Sequence, residues 1–426
     1  MKNYLLISYV FPPTGGVGAQ RALKFAKYSP EFGWRPVVLT PDQASSSLRD
    51  PGLLADLPPD LIVERLPSLE PASSGEISTS LRAADLPPLA RLKALAAGLL
   101  FPDRHVLWLP TALPGALAAA RRRQARAVMV TAPPFSTFLL GLAVARLAGL
   151  PLVLDFRDDW SGFYTKGFAA RGGGVLWRRL VLACERICVR AAARVIGNTP
   201  EMTARLARLH GGPAAKYVWV PNGYDPEDYA DLDRQPAPDP RGRLRLTYAG
   251  TVFAARPLGE LWAGLARLSP AQRARLAVTV MGRVLPGEVA DPGLEGLEVE
   301  VLPFAPHQEA LRRMAASDVL LLTVADLPGL ASMVPAKLYE YLAVGRPILA
   351  IAPWGEAARL IAATEAGAVV PPGQPEAVAK VLADWLERPP RPAGPPPAVF
   401  QRRRLSALLA RTLDQAVSER SQPWWS

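Results

Sequence analysis

Short apolar runs alternate along the chain with longer segments in which apolar residues recur every three or four positions. The runs YLLISYV (4–10), VVLT (37–40), AVMVT (127–131), LVLDF (152–156), RVIGN (194–198) and YVWV (217–220) have strand length and β-rich composition. A second series follows at LRLTYAG (244–250), LAVTVMG (276–282), LEVEVL (297–302), DVLLLTV (318–324) and RPILAIA (346–352). Strands separated by helical patterns predict parallel sheets covered by helices, so the chain reads as two α/β units. Between them, NGYDPEDYADLDRQPAPDPRGR (222–243) is polar and rich in Pro and Asp, which predicts a linker. PPRPAGPPPA (389–398) cannot be regular helix, whereas VFQRRRLSALLARTLDQAV recovers an amphipathic period. The expected division is a first unit over 1–225, a linker over 226–243, a second unit over 244–398 and a helix over 399–420 packing back on the first unit.

At 426 residues, half of them apolar, the chain can bury two cores, which excludes disorder and a small disulfide scaffold. The two cysteines, Cys184 and Cys188, fall on one helix face and cannot form a disulfide framework or a Cys-rich zinc site. The most apolar stretches are interrupted by Arg146 and Arg346 before a membrane span accumulates, and the N-terminus runs into FPPTGGVGAQR without an export-signal cleavage site. A cytoplasmic protein is expected.

A net charge of +11 fits nucleic acid, an anionic membrane surface or a phosphorylated substrate. No recognisable nucleic-acid module accompanies it. The Leu-rich region 85–126, with Arg121, Arg122 and Arg123, suits peripheral contact with an anionic membrane, and an ordinary core face equally.

Candidate chemistry is sought just after each strand, because open parallel sheets bind ligands beyond the carboxyl ends of their strands. In FPPTGGVGAQR, Gly15, Gly16 and Gly18 permit close backbone approach ahead of a helix N-terminus; a tight turn alone would also require glycine. Arg256 precedes Pro257 at a second helix start, and Lys337 follows Pro335 in the first turn of a third. Cations there oppose the helix dipole unless an anion compensates, which points to bound phosphates; the alternative is cations lying over solvent. Glu340 lies on the same side of the helix as Lys337, where its carboxylate suits a ribose diol.

LVLDFRDDW places Asp155, Asp158, Asp159 and Trp160 directly after a strand, suited to acceptor hydroxyls, proton transfer and stacking on a sugar face. Helix capping with Arg157 as counter-ion is the alternative. Asp103, His105 and Trp108 form a further polar group, in which a structural or surface role for His105 is also open. His210 and His307 lack metal-ligand spacing, and His307 reads as a residue flanking a helix. No metal or other cofactor is implied.

Taken together, the PPTGGVGAQR loop, VPNGYD, YAGTVF and PAKLYEYLAVGRPI resemble glycosyltransferase family 4, most specifically in EYLAVGRP at 340–347. The resemblance implies an α/β GT-B fold, two Rossmann-like parallel-sheet domains facing across a cleft, with the nucleotide held by the second and the acceptor by the first. It implies transfer from a nucleoside diphosphate sugar to a saccharide or lipid-linked hydroxyl acceptor, retaining, in surface polysaccharide or glycolipid synthesis. Glu340 would then bind the donor ribose, Arg256 and Lys337 the diphosphate, and Gly15 and Gly16 would line the cleft. Asp158 and Asp159 would serve catalysis, with Asp155, Arg157, Trp160 and His105 on the acceptor side. The family's second Glu, eight residues before the first, is here Ser332, placed at the donor sugar. A nucleotide-sugar epimerase and a catalytically silent sugar-nucleotide scaffold are the alternatives.

Overall fold

The computed structural model describes residues 1–42, 49–70, 100–162, 175–233, 239–285 and 287–420. The chain divides into two compact units, one of Met1–Asn222 with Arg402–Ser426 and one of Gly223–Gln401.

The first unit is built on strands β1 (Lys2–Ser8), β2 (Trp34–Pro41), β3 (Ile62–Leu66), β4 (Ala125–Ala132), β5 (Leu152–Phe156), β6 (Arg194–Gly197) and β7 (Tyr217–Trp219). They form a parallel sheet in the order β3-β2-β1-β4-β5-β6-β7. Helices α1 (Val17–Tyr28), α2 (Leu109–Arg122), α3 (Ser136–Ala148), α4 (Val175–Ala191) and α5 (Pro200–His210) accompany it. Burial on both faces explains why the central strands read as unbroken apolar runs: Leu5, Ile7, Val128 and Val130 enter one core cluster, Tyr4, Leu6, Ala127 and Met129 the other.

The second unit repeats the plan with β8 (Leu244–Ala249), β9 (Leu276–Met281), β10 (Glu298–Leu302), β11 (Val319–Thr323), β12 (Ile348–Ile351) and β13 (Gly367–Val370), ordered β10-β9-β8-β11-β12-β13 and parallel throughout. Its longer helices are α6 (Gly259–Ala266), α7 (His307–Ala315), α8 (Ala336–Val344), α9 (Glu356–Ala363) and α10 (Pro375–Glu387). The order reverses between β1 and β4 and between β8 and β11, so the strand exits there are the places where a ligand can enter between loops.

Of the segment 226–243, expected as a linker, the described residues 226–233 and 239–243 belong instead to the second unit. Tyr224 and Tyr229 are buried in its core, and the Tyr224 N–H donates to Phe400 O at 3.0 Å. The chain crosses between units at Asn222–Gly223 and Gln401–Arg402. Beyond the second crossing, α11 (Arg402–Arg420) lies on the first unit, where Leu405, Leu409, Leu413 and Ala416 are buried with Phe25 and Trp34. Its spacing places these four on one helix face.

Candidate functional site

In the second unit, β8 and β9 are each followed by a glycine with a positive φ, Gly250 at 131° and Gly282 at 138°. A Cβ on Gly282 would stand 2.3 Å from Gly250 O, so the two exits approach more closely than any side chain allows. Against Gly250 stands Lys337, in the first turn of α8. A Cβ on Gly250 would lie 2.8 Å from its Nζ.

Lys337 is 5% exposed, and its Nζ makes no hydrogen bond among the described residues. The ammonium sits 3.8 Å from the centre of the Tyr248 ring, a cation–π contact that replaces only part of the lost hydration. Burial pushes its pKa well below the ordinary lysine value; the charge of Arg256 pushes the same way and that of Glu340 opposes. The helix that carries it begins at Pro335 with no side-chain cap and no acidic residue in its first turn. A buried cation at the positive end of a helix dipole is unfavourable by itself and favourable once an anion arrives.

Arg256 is held by its backbone N–H, which donates to Phe253 O at 2.6 Å, while its guanidinium lies 5.6 Å from the Phe253 ring centre. Glu340, one turn along α8, meets His307 Nε2 at 3.1 Å through Oε1. His307 is the first residue of α7, and both side chains keep a little exposure, 16% and 18%. The helix is fixed to the sheet by Tyr341, whose hydroxyl accepts from Ala249 N at 3.1 Å and donates to Leu321 O at 3.2 Å. Lys337, Arg256 and Glu340 are thus brought within electrostatic reach of one another at the reversal between β8 and β11. Ser332 lies in the turn before α8, where its hydroxyl donates to Gly329 O at 2.8 Å.

The first unit treats the candidate residues differently. Asp155 is fully buried in a two-pronged ion pair with Arg21, at 2.9 and 2.7 Å. Arg21 also donates to Pro221 O at 2.7 Å and Val220 O at 2.9 Å, tying α1 and β5 to the chain as it leaves the sheet. This carboxylate is committed to the fold rather than to an acceptor. Trp160 is likewise fully buried, stacked on Phe135 with ring centres 4.9 Å apart and planes 3° from parallel, so its faces belong to the core and not to a sugar. Asp159 is 5% exposed; it accepts from Gly162 N at 3.0 Å and pairs with Arg205 at 2.8 Å. Arg157 donates to Gly18 O at 2.7 Å and to Pro133 O, joining the exits of β1 and β4. Burial pushes its pKa down while Asp158 and Asp155 push it up.

Asp158 keeps partial exposure in this loop. Gly15 is buried, and Gly16, at φ 89°, occupies the N-terminal cap of α1, which has no side-chain cap and no acid in its first turn. His105 lies in a separate cluster. Its Nδ1 is 2.8 Å from Glu70 Oε2, which also accepts from Tyr9 OH at 2.8 Å, and the Tyr9 and His105 rings are 4.3 Å apart. Burial raises the Glu70 pKa, but His105, Tyr9 and Ser68 outweigh it and hold the carboxyl below its ordinary value.

Sequence reasoning missed the contact of His307 with Glu340, the Tyr248 ring beneath Lys337, and Glu70. No local signal announces any of them, since each partner comes from a different element. Among the described residues no three His, Cys, Asp or Glu side chains group to hold a metal, and no helix is long and apolar enough to cross a membrane.

Residues 15–223 match the Glycosyl transferase 4-like domain and residues 245–388 the Glycosyl transferases group 1 domain. No curated protein sequence matches the chain. Among solved structures, HepE of Anabaena in complex with UDP-glucose aligns over 98% of this chain and 99% of its own, with a TM-score of 0.59 and 16% identity. A sucrose-phosphate synthase from Thermosynechococcus elongatus aligns over 100% and 98%, with a TM-score of 0.59 and 14% identity. The protein described as a putative UDP-N-acetylglucosamine 2-epimerase from Listeria monocytogenes aligns over 98% of each chain, with a TM-score of 0.54 and 12% identity.

Proposed function

Because the chain belongs to the GT-B glycosyltransferases, with a 4-like first domain and a group 1 second domain, we propose that it moves a sugar from a nucleoside diphosphate sugar to a hydroxyl acceptor, with retention of configuration, in surface polysaccharide or glycolipid synthesis. The observation that carries the donor reading is Lys337, a buried ammonium without a hydrogen-bond partner among the described residues, at an uncapped helix N-terminus. A diphosphate supplies the missing negative charge.

In this reading Glu340 accepts from the ribose hydroxyls, with His307 orienting its carboxylate from the other side. Lys337, Arg256 and the free N–H groups of α8 stabilise the charge that develops as the bond between the sugar and the diphosphate breaks. The departing electron pair goes to a phosphate oxygen, the acceptor oxygen bonds to the sugar carbon, and the acceptor proton is released. Among the first-unit candidates, Asp158 is best suited to meet an acceptor, because it keeps partial exposure whereas Asp155 and Asp159 are buried. HepE, of the same fold, is described with UDP-glucose, which favours a uridine donor here.

A thermal-shift panel of uridine, guanosine, adenosine and thymidine diphosphates identifies the nucleotide. Ligand at about 100 times its dissociation constant adds about 2.7 kcal/mol of stability. Product analysis with the matching sugar donor then separates the outcomes. Diphosphate release that requires an acceptor supports transfer; a changed sugar without acceptor replaces it with epimerisation; binding without turnover replaces it with a scaffold.

A further inference from the structure

Helix α4 of the first unit carries an apolar stripe on its outward side. Leu176 is 72% exposed, Leu180 44% and Ile187 52%, and Ala183 between them is exposed as well. Their spacing of four, three and four residues aligns them along one face for the length of the helix. The opposite face is satisfied internally, through Val181, Cys188 and Val189 in the core and Glu185 bonded to Ser161 and His210. The exposed stripe is therefore surplus to the packing of the unit.

Beside the stripe runs a second line of side chains. Arg179, Arg186 and Arg190 recur at intervals of seven and four, all exposed, and none pairs with a carboxylate among the described residues. Glu185 is the one acid on α4 and is fully buried, so the outward side bears positive charge alone. The adjoining helix α3 ends in the same manner, with exposed Arg146 and with Leu147 63% exposed. We propose that α4 is a docking surface for an anionic lipid bilayer, its apolar stripe entering the headgroup boundary while the arginines bind lipid phosphates.

Charge complementarity selects this occupant. A second copy of the chain would bring like-charged rows together, and a neutral apolar partner would leave the guanidinium groups uncompensated. A bilayer with anionic headgroups satisfies both lines at once, the arrangement expected of an interfacial helix. The sequence had pointed to a membrane surface at 85–126, of which 85–99 lies outside the described residues; the α4 surface stands on different residues and does not depend on the donor site.

The test is sedimentation of the full-length protein with vesicles of phosphatidylcholine alone or mixed with phosphatidylglycerol, over a range of salt. Wild type should bind the anionic vesicles and release as salt rises. Arg179→Gln/Arg186→Gln/Arg190→Gln should weaken binding about a hundredfold, since each cation near an anionic surface contributes about fivefold. Leu180→Glu/Ile187→Glu should also abolish it, with circular dichroism and melting unchanged because both positions are exposed. Arg388→Gln/Arg391→Gln/Arg404→Gln removes as much charge elsewhere and should leave binding intact. Equal binding to neutral and anionic vesicles, no binding to either, or α4 variants that bind as wild type would overturn the proposal. So would a concentration-dependent dimer that the α4 substitutions abolish, which would make a second copy the occupant.

Discussion

Replacing Lys337 with Met should move stability and nucleotide affinity in opposite directions. The ammonium is 5% exposed, unbonded at Nζ, and pressed toward neutrality by burial and by Arg256. Leaving such a group buried and unsatisfied costs roughly 1–3 kcal/mol. Its contact with the Tyr248 ring returns about 2 kcal/mol, and a methionine sulfur on the same ring recovers roughly 0.3–1.5 kcal/mol. The free protein should therefore gain up to about 2 kcal/mol, or roughly 2–4 °C in Tm per kcal/mol for a domain of this class. Nucleoside diphosphate binding loses a charged hydrogen bond of about 1.5–3 kcal/mol, a loss of about tenfold to a hundredfold in Kd. Differential scanning calorimetry of the free protein and titration calorimetry with the diphosphate found in the panel measure the two terms separately. A variant that melts lower and binds the nucleotide as tightly as wild type would refute the reasoning, because Lys337 would then be a structural cation with a partner of its own.

The same depressed lysine fixes a pH dependence. Between its lowered pKa and the ordinary value near 10.5 the unfolded chain binds more protons than the native one, so the stability of the free protein should rise with pH across that window. A bound diphosphate favours the ammonium, so binding should take up a proton and weaken as pH rises there; titrations in buffers of different ionisation enthalpy read the uptake, which Lys337→Met should abolish. Glu340→Ala should weaken ribonucleotide binding about tenfold to a hundredfold without unfolding, and a 2′,3′-dideoxy nucleotide should bind wild type and variant equally poorly. Arg21→Met should cost about 3–5 kcal/mol in denaturant unfolding, because it strands the fully buried carboxylate of Asp155; a loss below 1 kcal/mol, the level of about one surface pair, would show that water reaches that carboxylate.

The alternation of apolar runs with helical periods carried the α/β class, because a strand buried on both faces must be apolar at every position, and LVLDF emerges as β5 over Leu152–Phe156. It did not carry the strands β3 and β13 at the sheet edges: IVERL places Glu64 and Arg65 in mid-strand and GAVV is four residues long, so neither forms a conspicuous apolar run. Lys337 and Glu340 were legible as a pair because a single helix spaces them and its dipole makes a first-turn cation conspicuous. The fate of DFRDDW was not. Whether Asp155 met solvent or Arg21, 134 positions away, and whether Trp160 met a sugar or Phe135, depended on elements that only the folded sheet brings together. Local sequence sets backbone preference and the face on which a side chain sits; a buried charge or ring takes its role from its partner, and that partner is chosen by tertiary packing.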